Sequence, residues 1–355
     1  MNKERFGYLD HLRCLAILGV IAAHTSQALD NPSLFGIEDY SLGRFGVQLF
    51  FLVSGSTVWL SLESCQRSYN QPWITFYIKR ALRIVPLFFF FSFTVFVARG
   101  FVSPSYYFSP LAGLHATSIN IVPGGWSIWN EIYFYLGLPA YTLMRKKKGL
   151  LICLGICLAF TTLIIGLNHL NGVADEGVML SDFDFLNIFV QFIFFQIGLE
   201  ITANGRANIF FFFSSFFGAS LILKLIYFPE YLASPDYGSG VINSILAVFL
   251  SSIFFGFKRL ENRYSAIFSS DASDFFKRIG RATYTMYVVH FGVIWIISRA
   301  KSPVLSLLPS ELSIALVFFT SYYVSILIKP FTEDAWTSIG SRLIKRLADK
   351  PFKIE

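Results

Sequence analysis

The stretch Leu9–His24, "LDHLRCLAILGVIAAH", opens an apolar helix that carries Asp10, His11, Arg13 and His24. Ionisable side chains are costly in hydrocarbon, so these four need partners or a role. Arg13 and His24 stand eleven residues apart. Eleven steps of about 100° return to within about 20° of the same helix face, about 16 Å along the axis. Asp10 falls near that face, whereas His11 points away from it. One option is that Arg13 snorkels to one interface while His24 caps the other end. Sharing one face of a helix otherwise built from Leu, Ile, Val and Ala, the two residues favour lining a polar cavity inside a bundle. A neutral imidazole accepts a proton at about pH 7, which makes His24 the candidate general base.

The rest of the chain continues the apolar background. Of 355 residues, 54% are hydrophobic, 41 are Phe and only 14% are charged. Soluble domains carry about a quarter charged residues, so the composition sets the class as integral membrane. Segments of spanning length recur near 9–28, 43–62, 81–99, 126–144, 149–167, 183–201, 207–228, 240–257, 280–299 and 304–328. They predict an all-α polytopic protein of about ten transmembrane helices, nine or eleven being the neighbouring counts. Basic residues gather in alternate connections: Lys3 and Arg5, then Arg67, Lys79 and Arg80, then Arg145 to Lys148, Arg206, Lys258 to Arg278 and the tail. The opposite connections near 100–125, 168–182 and 229–239 hold no Lys or Arg, with Arg299 and Lys301 the exception to the alternation. By the positive-inside rule both termini are cytoplasmic.

The net charge of +7 therefore reflects loop placement and not a nucleic-acid-binding face. Four Cys at 14, 65, 153 and 157 form no disulfide framework and read as packing residues. The start of the chain, with "SQA" at 26–28, has some features of a signal peptide, but the interrupting charges favour an uncleaved first span. Residues 1–330 then form one transmembrane domain, and 331–355 a short basic cytoplasmic tail. Trp336, Ile339, Leu343 and Leu347 in that tail fall at helical intervals, so it either lies on the inner membrane surface or is solvated.

Three further segments carry candidate chemistry. "FYIKRALRIVP" places Arg80 and Arg83 three apart at the cytoplasmic edge of the third span, with Lys79 beside them. They are either positive-inside anchors or a phosphate clamp, since guanidinium binds phosphate bidentately and stays charged. "PGGWSIWNEIYFYLGLP" buries Glu131 in an aromatic helix with Trp126 and Ser127 at its outer lip. That carboxylate needs a partner: a structural one such as Arg13, or His24, which it would orient as carboxylates orient bases. "YTMYVVH" sets Tyr284, Tyr287 and His290 along one side; this second His either lines the same cavity or is hydrogen-bonded in the core. Ser54 and Gly55 in "GVQLFFLVSGSTVWL" read first as a close helix approach, with Ser54, like Asp10, a candidate for the cavity wall. Neither His24 nor His290 has neighbouring ligands in sequence, and no metal site is expected.

Taken in order, the Arg13–His24 spacing, "FFLVSG" at Phe50–Gly55, "KRALRIVP" at Lys79–Pro86, "GGWSIWNEIYFY" at Gly124–Tyr135 and "YTMYVVH" at Tyr284–His290 resemble the acyltransferase-3 family of membrane acyltransferases. The resemblance covers residues 7 to about 328. It implies transfer of an acyl group, most often acetyl, from cytoplasmic acetyl-CoA or another acyl-CoA as donor substrate. The acceptor it implies is a hydroxyl of an O-antigen, exopolysaccharide or similar glycan, free or lipid-linked, and the place a bacterial inner membrane. The chain resembles the stand-alone form without a C-terminal SGNH domain, which leaves open a partner protein for the final transfer. In this reading Arg80, Arg83 and Lys79 hold the donor phosphates, and Arg13 stabilises negative charge on the donor or in the transition state. His24 either deprotonates the acceptor or carries the acyl group, with Glu131 setting its tautomer. The rival class is a transporter or flippase of an acyl group or lipid-linked saccharide, which would use the same in-membrane residues. No pair of matching halves, common in transporters, is visible.

Overall fold

The computed structural model describes residues 7–28, 33–34, 37–98, 124–146, 188–204, 239–260, 270–299 and 309–348. Among them the helices are α1 (Gly7–Ala28), α2 (Asp39–Ser68), α3 (Pro72–Ala98), α4 (Gly125–Lys146), α5 (Ile188–Asn204), α6 (Ser239–Leu260), α7 (Ser270–Arg299), α8 (Ser310–Ile328) and α9 (Glu333–Ala348). A 3₁₀ turn, Lys329–Phe331, joins the last two. The strands among these residues are a two-residue antiparallel ladder of β1 (Ser33–Leu34) and β2 (Ile37–Glu38). The expected spans at 149–167 and 207–228 lie outside the described residues.

Among the described residues two helical stretches, Leu42–Ser68 and Ser310–Leu347, are long and apolar enough to cross a membrane. The apolar windows locate these elements but understate their length. α3 starts at Pro72 and α7 at Ser270, about two to three turns before the apolar windows that begin at 81 and 280. A hydrophobic window marks the part suited to hydrocarbon, whereas the backbone ladder runs on through polar flanks until a residue breaks it. Pro72 suits the α3 start because a first-turn N–H has no intrahelical acceptor to lose.

α1 packs against α2 and α7, α2 against α5, α7 against α8, and α9 against α3. Several crossings bring backbones into contact. A Cβ on Gly55 would lie 2.0 Å from the Phe195 carbonyl oxygen, and one on Gly280 would lie 2.0 Å from that of Asp10. In lipid, where hydrophobic association of helices is weak, such close packing is what holds them together. The buried interior is aliphatic and aromatic, with Leu12, Ile17, Leu52, Phe194 and Phe254 fully enclosed. Phe90, Phe93, Leu136, Leu143, Ile296 and Leu327 point outward, giving an apolar perimeter. With α1 clamped between α2 and α7, its Arg13 face opens into a space bounded by α2, α3, α4 and α7.

Candidate active site

That space is a cavity of about 790 Å³, counted to its open mouth, and its wall includes Arg13, Ser54, Thr57, Arg80, Arg83, Ser127, Glu131, Tyr135, Tyr284 and Tyr287. Among the described residues three guanidinium groups and one carboxylate line it.

Each guanidinium is held differently. Arg13 donates from Nη1 to Asp10 Oδ1 at 2.6 Å and from Nη2 to Thr57 Oγ1 at 2.7 Å. Asp10 is 1% exposed and also lies 3.6 Å from Arg281 Nε. The backbone crossing at Gly280 is what puts this carboxylate behind Arg13. Arg80 donates from Nη2 to the Thr57 carbonyl at 2.9 Å and lies 5.6 Å from the ring centres of Phe76 and Tyr135. Among the described residues, its buried Nε has no hydrogen-bond partner. Arg83 places Nε 3.2 Å from Glu333 Oε1, at the start of α9. A cavity lined by three guanidinium groups suits an anion.

Glu131 faces the same cavity but is held by neutral donors. Its Oε1 accepts from Ser54 Oγ at 2.9 Å and from the Tyr135 hydroxyl. Tyr135 is four residues further along α4, so the two side chains stack on one face of the helix. Ser127 Oγ and Tyr287 OH are 2.7 Å apart, and both lie within 3.0 Å of the Gly124 carbonyl. Gly124, with φ +75°, makes the turn into α4.

The histidines form a separate group. The His24 ring is centred 5.5 Å from His290 and 4.6 Å from Phe291, with Nδ1 3.2 Å from Gln27 Oε1. His290 is fully buried, and its Nδ1 is 2.6 Å from the Tyr287 carbonyl, an acceptor, so Nδ1 carries the proton. That leaves His290 Nε2 as a lone-pair acceptor, buried and without a partner among the described residues. Arg13 and His24 occupy one continuous helix, about 16 Å apart by its rise.

The structure thus brings together Arg13, Ser54, Arg80, Arg83, Ser127, Glu131 and Tyr287, and sorts other expected residues elsewhere. Glu131 commits Oε1 to Ser54 and Tyr135 while His24 faces His290 and Phe291, so the expected Glu131–His24 pairing gives way to two distinct settings. Arg80 and Arg83 lie 8 and 11 residues past the start of α3, about 12 and 17 Å along the helix. Lys79 turns instead to Cys65 Sγ at 3.6 Å and the Tyr69 ring at 4.5 Å. Asp10 sits behind Arg13, Trp126 packs edge-on against Phe51 at 6.1 Å, and His290 lies against His24. Sequence reasoning missed Thr57, Tyr135 and Glu333. The i,i+4 spacing of Glu131 and Tyr135 was the available signal for one; nothing local marked the other two. Among the described residues no group of three or more His, Cys, Asp or Glu is placed to hold a metal.

Against known proteins, a family model for an acyltransferase domain, that of the acyltransferase-3 family, matches residues 6–329. No curated protein and no solved structure matches.

Proposed function

The chain belongs to the acyltransferase-3 family, and on that premise we propose that it moves an acyl group, acetyl foremost, from a cytoplasmic acyl-CoA to a hydroxyl of an envelope or extracellular glycan. The family makes it a membrane acyltransferase in general terms. The donor and acceptor are our reading, and the donor is carried by one observation: Arg13, Arg80 and Arg83 converge on one cavity. A coenzyme A donor brings phosphates that match such a site. The reading includes the ten-span arrangement with both termini inside, which opens the arginine end of α1 to the cytoplasm and its His24 end to the other side.

Arg80 and Arg83 bind the donor phosphates, and the thioester lies along the α1 face with its arm spanning the distance towards His24. His24 takes the proton of the acceptor hydroxyl; the hydroxyl oxygen attacks the thioester carbonyl, the new C–O bond forms and the C–S bond breaks. The leaving thiolate recovers the proton from His24. Arg13, held by Asp10 and Thr57, balances negative charge on the donor at its own end of the helix. Glu131, held by Ser54 and Tyr135, sets the electrostatic balance among the three guanidinium groups.

Purified protein incubated with acetyl-CoA and a saccharide acceptor tests this by free-thiol release. Acceptor-dependent release supports transfer. Acetyl or saccharide movement across a vesicle membrane without thiol release would replace it with a transporter.

A further inference from the structure

Arg83 meets a carboxylate from a part of the chain that the family match does not reach. The match ends at residue 329, and Glu333 is the first residue of α9. Its side chain is 7% exposed, with Oε1 3.2 Å from Arg83 Nε. Its other oxygen, Oε2, accepts from Thr285 Oγ1 at 3.3 Å, and Thr285 is itself fully buried on α7. One carboxylate therefore ties α9 to both α3 and α7.

The rest of α9 holds that carboxylate in place. A Cβ on Gly340 would lie 3.0 Å from Leu82 Cδ1, so the helix runs close along α3, and Ile344 is buried. Lys329 pairs with Asp334 across the preceding turn. A first-turn acid also suits the positive end of the helix dipole. A side chain fixed this firmly belongs to the packed frame behind Arg83 and is not a loose counter-ion.

We infer that Glu333 is a positioning residue for Arg83. By pairing with Nε it orients the guanidinium and leaves the Nη groups for an anion in the cavity that Arg83 lines. A guanidinium oriented beforehand gives up less rotamer entropy on binding. The inference rests on the acyl-CoA reading above, whose phosphate is the anion served, and extends the site into α9.

The test measures coenzyme A binding by calorimetry, and KM and kcat for acetyl-CoA, on the purified full chain. Glu333→Ala weakens binding about tenfold and raises KM in step, with kcat changed by less than about twofold. Glu333→Gln, which keeps an acceptor for Nε, recovers most of the loss. Thr285→Ala, which loosens the carboxylate but leaves its charge, weakens binding about threefold and guards against a misfolded Glu333→Ala. The double variant Arg83→Ala with Glu333→Ala binds no worse than Arg83→Ala alone. Unchanged or tighter binding in both Glu333→Ala and Thr285→Ala, or additive losses in the double variant, overturns the inference. Wild-type protein that does not bind coenzyme A overturns the donor reading and this inference with it.

Discussion

Ser54 on α2 donates to Glu131 on α4 across 2.9 Å, and the Tyr135 hydroxyl donates to the same Oε1. The carboxylate that faces three arginines is thus fixed by two neutral donors from two helices. A hydrogen bond to a charged group contributes about 1.5–3 kcal/mol. Ser54→Ala and Tyr135→Phe should each lower kcat/KM for acetyl transfer about ten- to hundredfold, with the fold intact by thermal unfolding. Wild-type turnover in both variants would remove Glu131's fixed geometry from the account.

Arg80 is held in register by the Thr57 carbonyl and two aromatic rings. Lysine keeps the charge but not the planar fork, so Arg80→Lys should fail to rescue Arg80→Ala. Both variants are expected to raise the acetyl-CoA KM about tenfold or more, as loss of a charge-assisted contact does. Steady-state kinetics at varied donor concentration measures this; an unchanged KM returns Arg80 to a purely structural role.

The helix crossings give a stability prediction independent of activity. Gly55→Ala and Gly280→Ala each place a Cβ 2.0 Å from a backbone oxygen, which cannot be accommodated without moving a helix. Overpacking of this kind costs about 1–3 kcal/mol or more. Gly137→Ala is the control, since its Cβ would meet nothing within 4 Å. Unfolding temperature in detergent should fall for the first two and hold for the third.

What was readable in the sequence is the set of costly groups. Arg13 and Glu131 stood out because charge in an apolar helix demands a partner or a cavity, and Arg80 and Arg83 as a guanidinium pair suited to phosphate; one cavity is where the four meet. The axial height of those groups was not readable. Periodicity fixes which face a residue takes, not how far one helix slides past another, so Glu131 looked level with His24 and is instead joined to Ser54. Helix starts were hidden too, because a polar flank carries no apolar signal: α3 begins at Pro72, before the window that opens at 81. The tail showed its amphipathic row, and Trp336, Ile339, Leu343 and Leu347 are indeed exposed on α9. Glu333 gave no signal, because only the fold back onto α3 brings it to Arg83.

The most direct test of the account follows labelled acetyl from acetyl-CoA onto a saccharide hydroxyl in membranes carrying wild-type protein or His24→Ala. The account predicts acceptor-dependent label in an alkali-labile ester with wild type and a loss of at least about a hundredfold with His24→Ala, as befits a general base. Full transfer by His24→Ala would contradict it.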